Sequence, residues 1–149
     1  MPHLLDINVL IALIDGYHVH HRQAMRWFMT KARGDWLTCP TTQNGAIRIM
    51  SGTRYPPGSF TPGSVAERLQ SFIGETDHRF VADDVSLLND SLINQFELKS
   101  SGQVTDTYLL ALAVANQAQL ATMDRRLLPD AVNGGAEHLL KIPESWKQP

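Results

Sequence analysis

The sequence predicts an α/β fold in which a central, mainly parallel sheet of four to five strands is flanked by helices. Short apolar strands alternate with longer segments whose apolar residues recur at helical spacing, a pattern typical of parallel sheets. The length of 149 residues fits one domain, whose folding would bury roughly 70% of the surface of the unfolded chain. The 43% content of hydrophobic residues excludes a disordered chain.

Each predicted element has its own local signal. The strands are short apolar runs, and we expect them at 3–7, 36–39, 78–82, 120–123 and 138–142. The helices have apolar residues three and four positions apart, and we expect them at 8–15, 20–31, 64–73, 85–96 and 106–117. Thr41 or Thr42 caps a further helix that ends near Met50. Gly and Pro residues throughout 51–63 predict a long loop.

Three helices are predicted from the residues on their apolar faces. The face of the helix at 20–31 consists of Ala24, Trp27, Phe28 and Met29. The face of the helix at 85–96 consists of Leu88, Leu92, Ile93 and Phe96. The helix at 106–117 has the clearest signal, because Thr105 precedes it as a cap and Leu109 and Leu112 share one side.

Composition limits the classes of function. The formal net charge of −2, from 13 Lys and Arg against 15 Asp and Glu, disfavours a strongly basic nucleic-acid binder but allows local basic patches. The one cysteine, Cys39, excludes an internal disulfide and a zinc motif built on Cys pairs. The apolar run at 9–14 is too short for a signal-peptide core or a membrane-spanning helix. We therefore expect a cytoplasmic protein with no membrane partner.

Polar residues stand where predicted strands end and predicted helices begin. Asp6 ends the first strand, and Gln43 and Asn44 follow the second. Asp106 begins a helix, and Asp124 ends the fourth strand. These positions meet at one edge of a parallel sheet. Each acid taken alone also has a structural explanation as a helix cap or a turn residue.

Three carboxylates at one edge repel one another. At about 4 Å each pair costs on the order of 4 kcal/mol with an effective dielectric constant near 20. Either one of the three binds a proton, or a cation lies among them. Oxygen ligands without Cys or His favour Mg²⁺ or Mn²⁺. The sequence therefore predicts a metal site formed by Asp6, Asp106 and Asp124.

Four segments occur in a characteristic order. They are LLDINVLIAL from Leu4, CPTTQNGAIRI from Cys39, QVTDTYLLALA from Gln103 and LATMD from Leu120. Over about 4–127 this series resembles the motifs of PIN domains, and most of all those of VapC-type toxins of bacterial toxin–antitoxin pairs. The resemblance implies one PIN-like domain over 1–149. It also implies a Mg²⁺-dependent endoribonuclease that forms a homodimer and is neutralised by a cognate antitoxin.

The resemblance also implies roles for individual residues. Asp6 and Asp106 would bind Mg²⁺, and Asp124 would complete the catalytic acidic cluster. Asn8 and Thr122 would orient these carboxylates through hydrogen bonds.

One position departs from the family pattern. Many members have Glu in the third-helix segment where this chain has Gln43, which cannot ionise. The substitution is expected to weaken binding of a second metal ion, and Asn44 is the alternative polar residue there. It leaves open a weakly active or inactive PIN domain that binds RNA or protein.

Two further hypotheses concern residues outside the acidic cluster. Arg48 and Arg54 lie near the predicted loop and the predicted site, so we expect them to contact RNA, the alternative being a solvated surface. Asp83 and Asp84 are predicted to cap the helix at 85–96. A receiver-type signalling domain remains a third alternative, with Asp83 as the phosphorylated acid and Lys141 as its basic partner, although an acidic pair after the first strand is missing.

Overall fold

The structure is a computed structural model that describes residues 1–56 and 60–144. The strands are β1 (His3–Leu5), β2 (Trp36–Thr38), β3 (His78–Phe80), β4 (Gln119–Thr122) and β5 (Leu139–Lys141). The helices are α1 (Ile7–Ile14), α2 (His21–Trp27), α3 (Pro40–Met50), α4 (Pro62–Gly74) and α5 (Val104–Ala115). A π-helical turn, Phe28–Ala32, continues α2.

The five strands form one parallel sheet in the order β3–β2–β1–β4–β5. In register, Leu4 of β1 lies between Leu37 and Leu120 of its two neighbours. Because all strands run in the same direction, their carboxyl ends meet at one edge. This architecture confirms the predicted α/β class and the fifth strand.

A hydrophobic core covers each face of the sheet, because successive strand residues point to opposite sides. Leu5 packs with Trp27, Phe28 and Trp36 in one core. Leu4 belongs to the other core, which includes much of α5. Burial of each large apolar side chain stabilises the fold by roughly 1.5–3 kcal/mol.

A close approach between two helices depends on Gly45. A Cβ atom at this position would lie 2.4 Å from Cδ1 of Ile7, so a larger residue would require the Ile7 side chain or α3 to move. The contact brings the start of α3 close to the end of β1.

The predicted helix at 85–96 is wrong. The region forms turns, followed by a short 3₁₀ helix at Gln95–Glu97. Its polar side chains bond the local backbone instead, since Oδ1 of Asn89 accepts from the amide of Ser91. Such bonds compete with helix formation. Phe96, expected on a buried face, is 92% exposed.

Smaller predictions are also corrected. Met29 is half-exposed rather than part of a buried face. The third helix begins at Pro40 with Cys39 as its N-cap, and Thr42 takes part in the capping box, since its hydroxyl accepts from the amide of Cys39 at 3.1 Å. The fifth helix begins at Val104, which places Thr105 inside it. Within residues 1–56 and 60–144, no helix is long and apolar enough to cross a membrane.

Candidate active site

Asp6 is buried at the point where β1 ends and α1 begins. Its Oδ1 accepts a hydrogen bond from the amide of Ile7, 2.7 Å away, which makes it the N-cap of α1. Its Oδ2 accepts from the hydroxyl of Thr122 at 2.6 Å and from Nδ2 of Asn8 at 3.2 Å. The two oxygens are therefore held in fixed directions.

Asn8 and Thr122 also connect the end of β4 to the end of β1. Oδ1 of Asn8 accepts from the amide of Met123 at 3.1 Å. Oγ1 of Thr122 accepts from the amide of Asp124 at 3.1 Å. These bonds place Asp124 beside Asp6 at the carboxyl edge.

Asp106 lies in the first turn of α5 and is half-buried. Burial, followed by the negative charges of Asp6 and Asp124, raises the pKa of Asp106 to about 6, against a smaller opposing effect of Arg126. Burial also raises the pKa of Asp6, with a further contribution from the charge of Asp124, although hydrogen bonds from Thr122, Ile7 and Asn8 oppose it. The structure thus brings the three acids into one electrostatic environment.

Arg126 is a member of this environment that the sequence interpretation missed. Oδ1 of Asp124 accepts from the backbone amide of Arg126 at 2.9 Å and from its Nε at 3.5 Å. The sequence does contain a signal, because Arg126 follows Asp124 by two positions at a strand end, but this spacing alone indicates only a turn. Arg126 offsets part of the negative charge of the three acids.

The carboxylate oxygens of the three acids are better suited as ligands to Mg²⁺ or Mn²⁺ than to zinc. Among the described residues, no three His, Cys, Asp or Glu side chains converge into a ready-made metal cage. Mg²⁺ does not need one, because it retains several waters and uses one or two protein carboxylates. A group of carboxylates in which neighbouring charges raise the pKa values of Asp106 and Asp6, with no Cys or His among them, matches this mode of binding.

Gln43 and Asn44 differ in their placement. Nε2 of Gln43 donates to Oγ1 of Thr38 at 2.9 Å, and that hydroxyl lies 2.7 Å from Nε2 of His78. Thr38 ends β2, the neighbour of β1, so Gln43 faces the carboxyl edge without bonding an acid. Asn44 is exposed.

Arg48 and Arg54 share a surface pocket with Tyr55. Arg48 lies in the last turn of α3, a helix that starts at the carboxyl edge and leads away from it. Asp6, Asp106 and Asp124 do not line this pocket. Contact of the two arginines with RNA stays a prediction.

The alternative roles of Asp83 are contradicted. The helix that Asp83 was predicted to cap, at 85–96, does not form. The carboxylate of Asp83 instead accepts hydrogen bonds from Thr41 and Tyr108. Lys141 lies in β5 and donates to the carbonyl of Arg125, whereas Asp83 follows β3 at the opposite margin of the sheet. The acid and lysine of a receiver-type site are thus not brought together.

Comparison with known proteins places the chain in a family. No family model matches it. Ribonuclease VapC44 of Mycobacterium tuberculosis is 40% identical over 146 residues, which cover 95% of this chain and 100% of the relative. Ribonuclease VapC39 of the same organism is 37% identical over 139 residues, covering 93% and 100%. The chain belongs to the VapC ribonuclease family.

A solved structure agrees with the fold of this VapC protein. The crystal structure of Mycobacterium tuberculosis VapC20, described as a Sarcin-Ricin loop cleaving toxin, matches with a TM-score of 0.53 and 12% identity. The match covers 81% of this chain and 87% of the other. The predicted PIN-type fold, hydrolase class and endoribonuclease toxin function are therefore confirmed at the level of the family.

Proposed function

We propose that this VapC endoribonuclease hydrolyses RNA with Asp6, Asp106 and Asp124 as its catalytic and metal-binding residues. The observation that carries the proposal is the raised pKa of Asp106, caused by burial and by the charges of the other two acids. Such mutual repulsion favours a cation at this place. We propose Mg²⁺, which Mn²⁺ can replace. When bound, the cation acts as a Lewis acid that stabilises charge on the reacting phosphate.

The surrounding residues hold the acids in position. Thr122 and Asn8 donate to the same oxygen of Asp6, which fixes the direction of its carboxylate. Hydrogen-bonded partners of this kind orient metal ligands, and by opposing the rise in the pKa of Asp6 they favour its ionised form. Arg126 stays close to Asp124 and can offset negative charge on a phosphate that approaches the acids.

Gln43 has a supporting role in this proposal. One N–H of its side-chain amide is engaged with Thr38, so the second N–H and the carbonyl oxygen are left to contact a water or a substrate hydroxyl. An amide cannot accept a proton as a general base at neutral pH. Proton transfer therefore depends on the three carboxylates, and Asn44, being exposed, contributes less.

VapC toxins act on RNA and pair with antitoxins, and we propose the same kinds of partner for this chain. We propose a cognate antitoxin, a homodimer and action in the cytoplasm, where a free thiol such as Cys39 stays reduced. Arg48 and Arg54 would contact RNA away from the acids. Neither arginine pairs with a carboxylate within residues 1–56 and 60–144, so both charges are available to phosphates.

The substitution Asp6→Asn tests the proposal. Asparagine is as good a helix cap as aspartate, so α1 and the fold are expected to persist. Cleavage of RNA in the presence of Mg²⁺ is expected to be lost, as measured by sequencing RNA ends after a short induction. Asp77→Asn is the matched control, because Asp77 is exposed and precedes β3 at the opposite edge of the sheet. Wild-type cleavage by the Asp6→Asn protein would contradict the assignment.

A further inference from the structure

Asp83 lies after β3, outside the acidic site, and its carboxylate connects two helices. Oδ2 accepts hydrogen bonds from the backbone amide of Thr41 at 2.9 Å and from its hydroxyl at 2.8 Å. Oδ1 accepts from the hydroxyl of Tyr108, 2.9 Å away. Thr41 belongs to the first turn of α3 and Tyr108 to α5. Bonds to an ionised acceptor are stronger than those between neutral groups.

The ionised form of Asp83 is the one that these bonds favour. Partial burial alone would raise the pKa of its carboxyl, but hydrogen bonds from Thr41, Tyr108 and Cys39 outweigh burial and lower it. At neutral pH the group is therefore a carboxylate with both oxygens available to the two helices.

The two connected helices carry site residues in their first turns. Gln43 follows Thr41 by two positions, and Asp106 precedes Tyr108 by two. The side chain of Asp106 has no hydrogen-bond partner among the described residues, unlike that of Asp6. The place of the Asp106 carboxylate consequently depends on where α5 itself is held.

Within residues 1–56 and 60–144, the other side-chain hydrogen bonds at the start of α5 do not join it to a second α-helix. Oε1 of Gln103 accepts from the amides of Lys99 and Ser100, at 2.8 and 3.0 Å. These bonds lie within the segment that leads into α5. The Tyr108–Asp83–Thr41 contact, by contrast, joins α5 to α3.

We propose that Asp83 is a positioning residue that, through Tyr108, holds Asp106 where it can share a cation with Asp6 and Asp124. The inference rests on the proposed metal site. It predicts that loss of the Asp83–Tyr108 bond weakens metal binding although neither residue binds the metal.

Calorimetric titration of the full chain with MgCl₂ tests this inference. Tyr108→Phe removes one hydrogen bond and leaves the contact of Asp83 with α3 intact. We expect it, and Asp83→Ala, to raise the Kd for Mg²⁺ by about tenfold, the lower end of the range for residues that support metal ligands. Tyr17→Phe is the control for the tyrosine, since Tyr17 is fully exposed. Asp84→Ala is the control for charge, because Asp84 is the exposed neighbouring acid.

Further measurements separate positioning from a general loss of structure. The melting temperature of Tyr108→Phe without Mg²⁺ is expected to fall by only a few degrees, because one exposed hydrogen bond is lost, and its cleavage rate is expected to recover at saturating Mg²⁺. The double variant should bind Mg²⁺ as weakly as Asp83→Ala alone, because that substitution already removes the bond that Tyr108→Phe removes.

The possible failures are distinguishable. Wild-type Mg²⁺ affinity in Tyr108→Phe, or equal effects of Asp83→Ala and Asp84→Ala, would overturn the role of Asp83. Including Asp106→Asn in the titration tests the metal site itself. If Asp106→Asn binds Mg²⁺ like the wild type, the proposed function is wrong. If Asp106→Asn loses binding while Tyr108→Phe and Asp83→Ala bind like the wild type, only the positioning inference is wrong.

Discussion

Asp6 shows how one carboxylate serves both the fold and the site. Oδ1 caps α1 through the amide of Ile7, while Oδ2 receives bonds from Thr122 and Asn8. The structural explanation of this residue and the functional one are therefore compatible, because each uses a different oxygen. Asp106 has no such dual role, and its environment is set mainly by burial and by neighbouring charges.

The raised pKa of Asp106 makes the stability of the metal-free protein depend on pH. The ordinary value of 3.8 becomes about 6 in the folded state, so the folded protein holds this proton more tightly than the unfolded chain. The cost of ionisation is absent below pH 3.8 and complete above about pH 6. The contribution of Asp106 to the free energy of unfolding should therefore fall as the pH rises through this window.

Urea denaturation without divalent ions measures this dependence. We expect the fall between pH 4 and pH 6 to be smaller in Asp106→Asn than in the wild type, because the variant lacks the titrating group. Asp77→Asn, at the opposite edge, should behave like the wild type. If the free energy of unfolding depends on pH in the same way in the wild type and in Asp106→Asn, the charges of Asp6 and Asp124 do not act on Asp106 as described.

Gln43→Glu tests whether the missing acid limits metal binding. A fourth carboxylate at the carboxyl edge should tighten Mg²⁺ binding about fivefold, which corresponds to roughly 1 kcal/mol. Asn44→Glu adds the same charge at an exposed neighbouring position and should have a smaller effect. If Gln43→Glu changes neither the Mg²⁺ affinity nor the cleavage rate, Gln43 is not what distinguishes this site.

At the scale of elements, the site depends on short strands followed by helices. β1 and β2 have three residues each, and α1 and α3 begin within two residues of their ends. The polar residues of these junctions are therefore held by the sheet on one side and by a helix on the other. Gly45 allows α3 to lie against α1 and so keeps the two junctions together.

Gly45→Ala is expected to destabilise the fold. The new methyl group would lie 2.4 Å from Cδ1 of Ile7, so the isoleucine or α3 must move. Overpacking of this kind costs about 1–3 kcal/mol, measurable by urea denaturation. Gly63→Ala in α4 is the control, because no atom lies within 4 Å of the added Cβ and alanine favours helix. A Gly45→Ala protein as stable as the wild type would show that the helices tolerate separation.

For the whole molecule, alternation of strands and helices predicted the sheet because its three inner strands, β1, β2 and β4, are largely buried between the two cores to which the helices contribute. The acids were found because parallel strands end at one edge, which follows from topology without coordinates. The helix at 85–96 was not separable from turns, since Leu88 and Phe96 have helical spacing but remain exposed. The spacing of apolar residues along the sequence shows which of them could share a helix face, but it does not show whether another element packs against that face.

Contacts between distant parts of the chain were beyond the sequence argument. Asp83 and Tyr108 stand 25 positions apart, and nothing in their local sequence indicates that they bond. Gln43 and Thr38 are only five positions apart, but their contact also depends on how α3 is placed against the end of β2. Such pairs arise from the packing of elements, so they are visible only after the helices are placed.

The central claim is that Asp6, Asp106 and Asp124 form one metal site. The most direct test is anomalous diffraction at the manganese edge from crystals of the wild-type protein soaked in Mn²⁺ at pH 7.5. We expect a peak at the carboxyl edge of the sheet, about 2 Å from oxygens of Asp6 and Asp106. A strong peak bound elsewhere, or no peak near these carboxylates at saturating Mn²⁺, would contradict the claim.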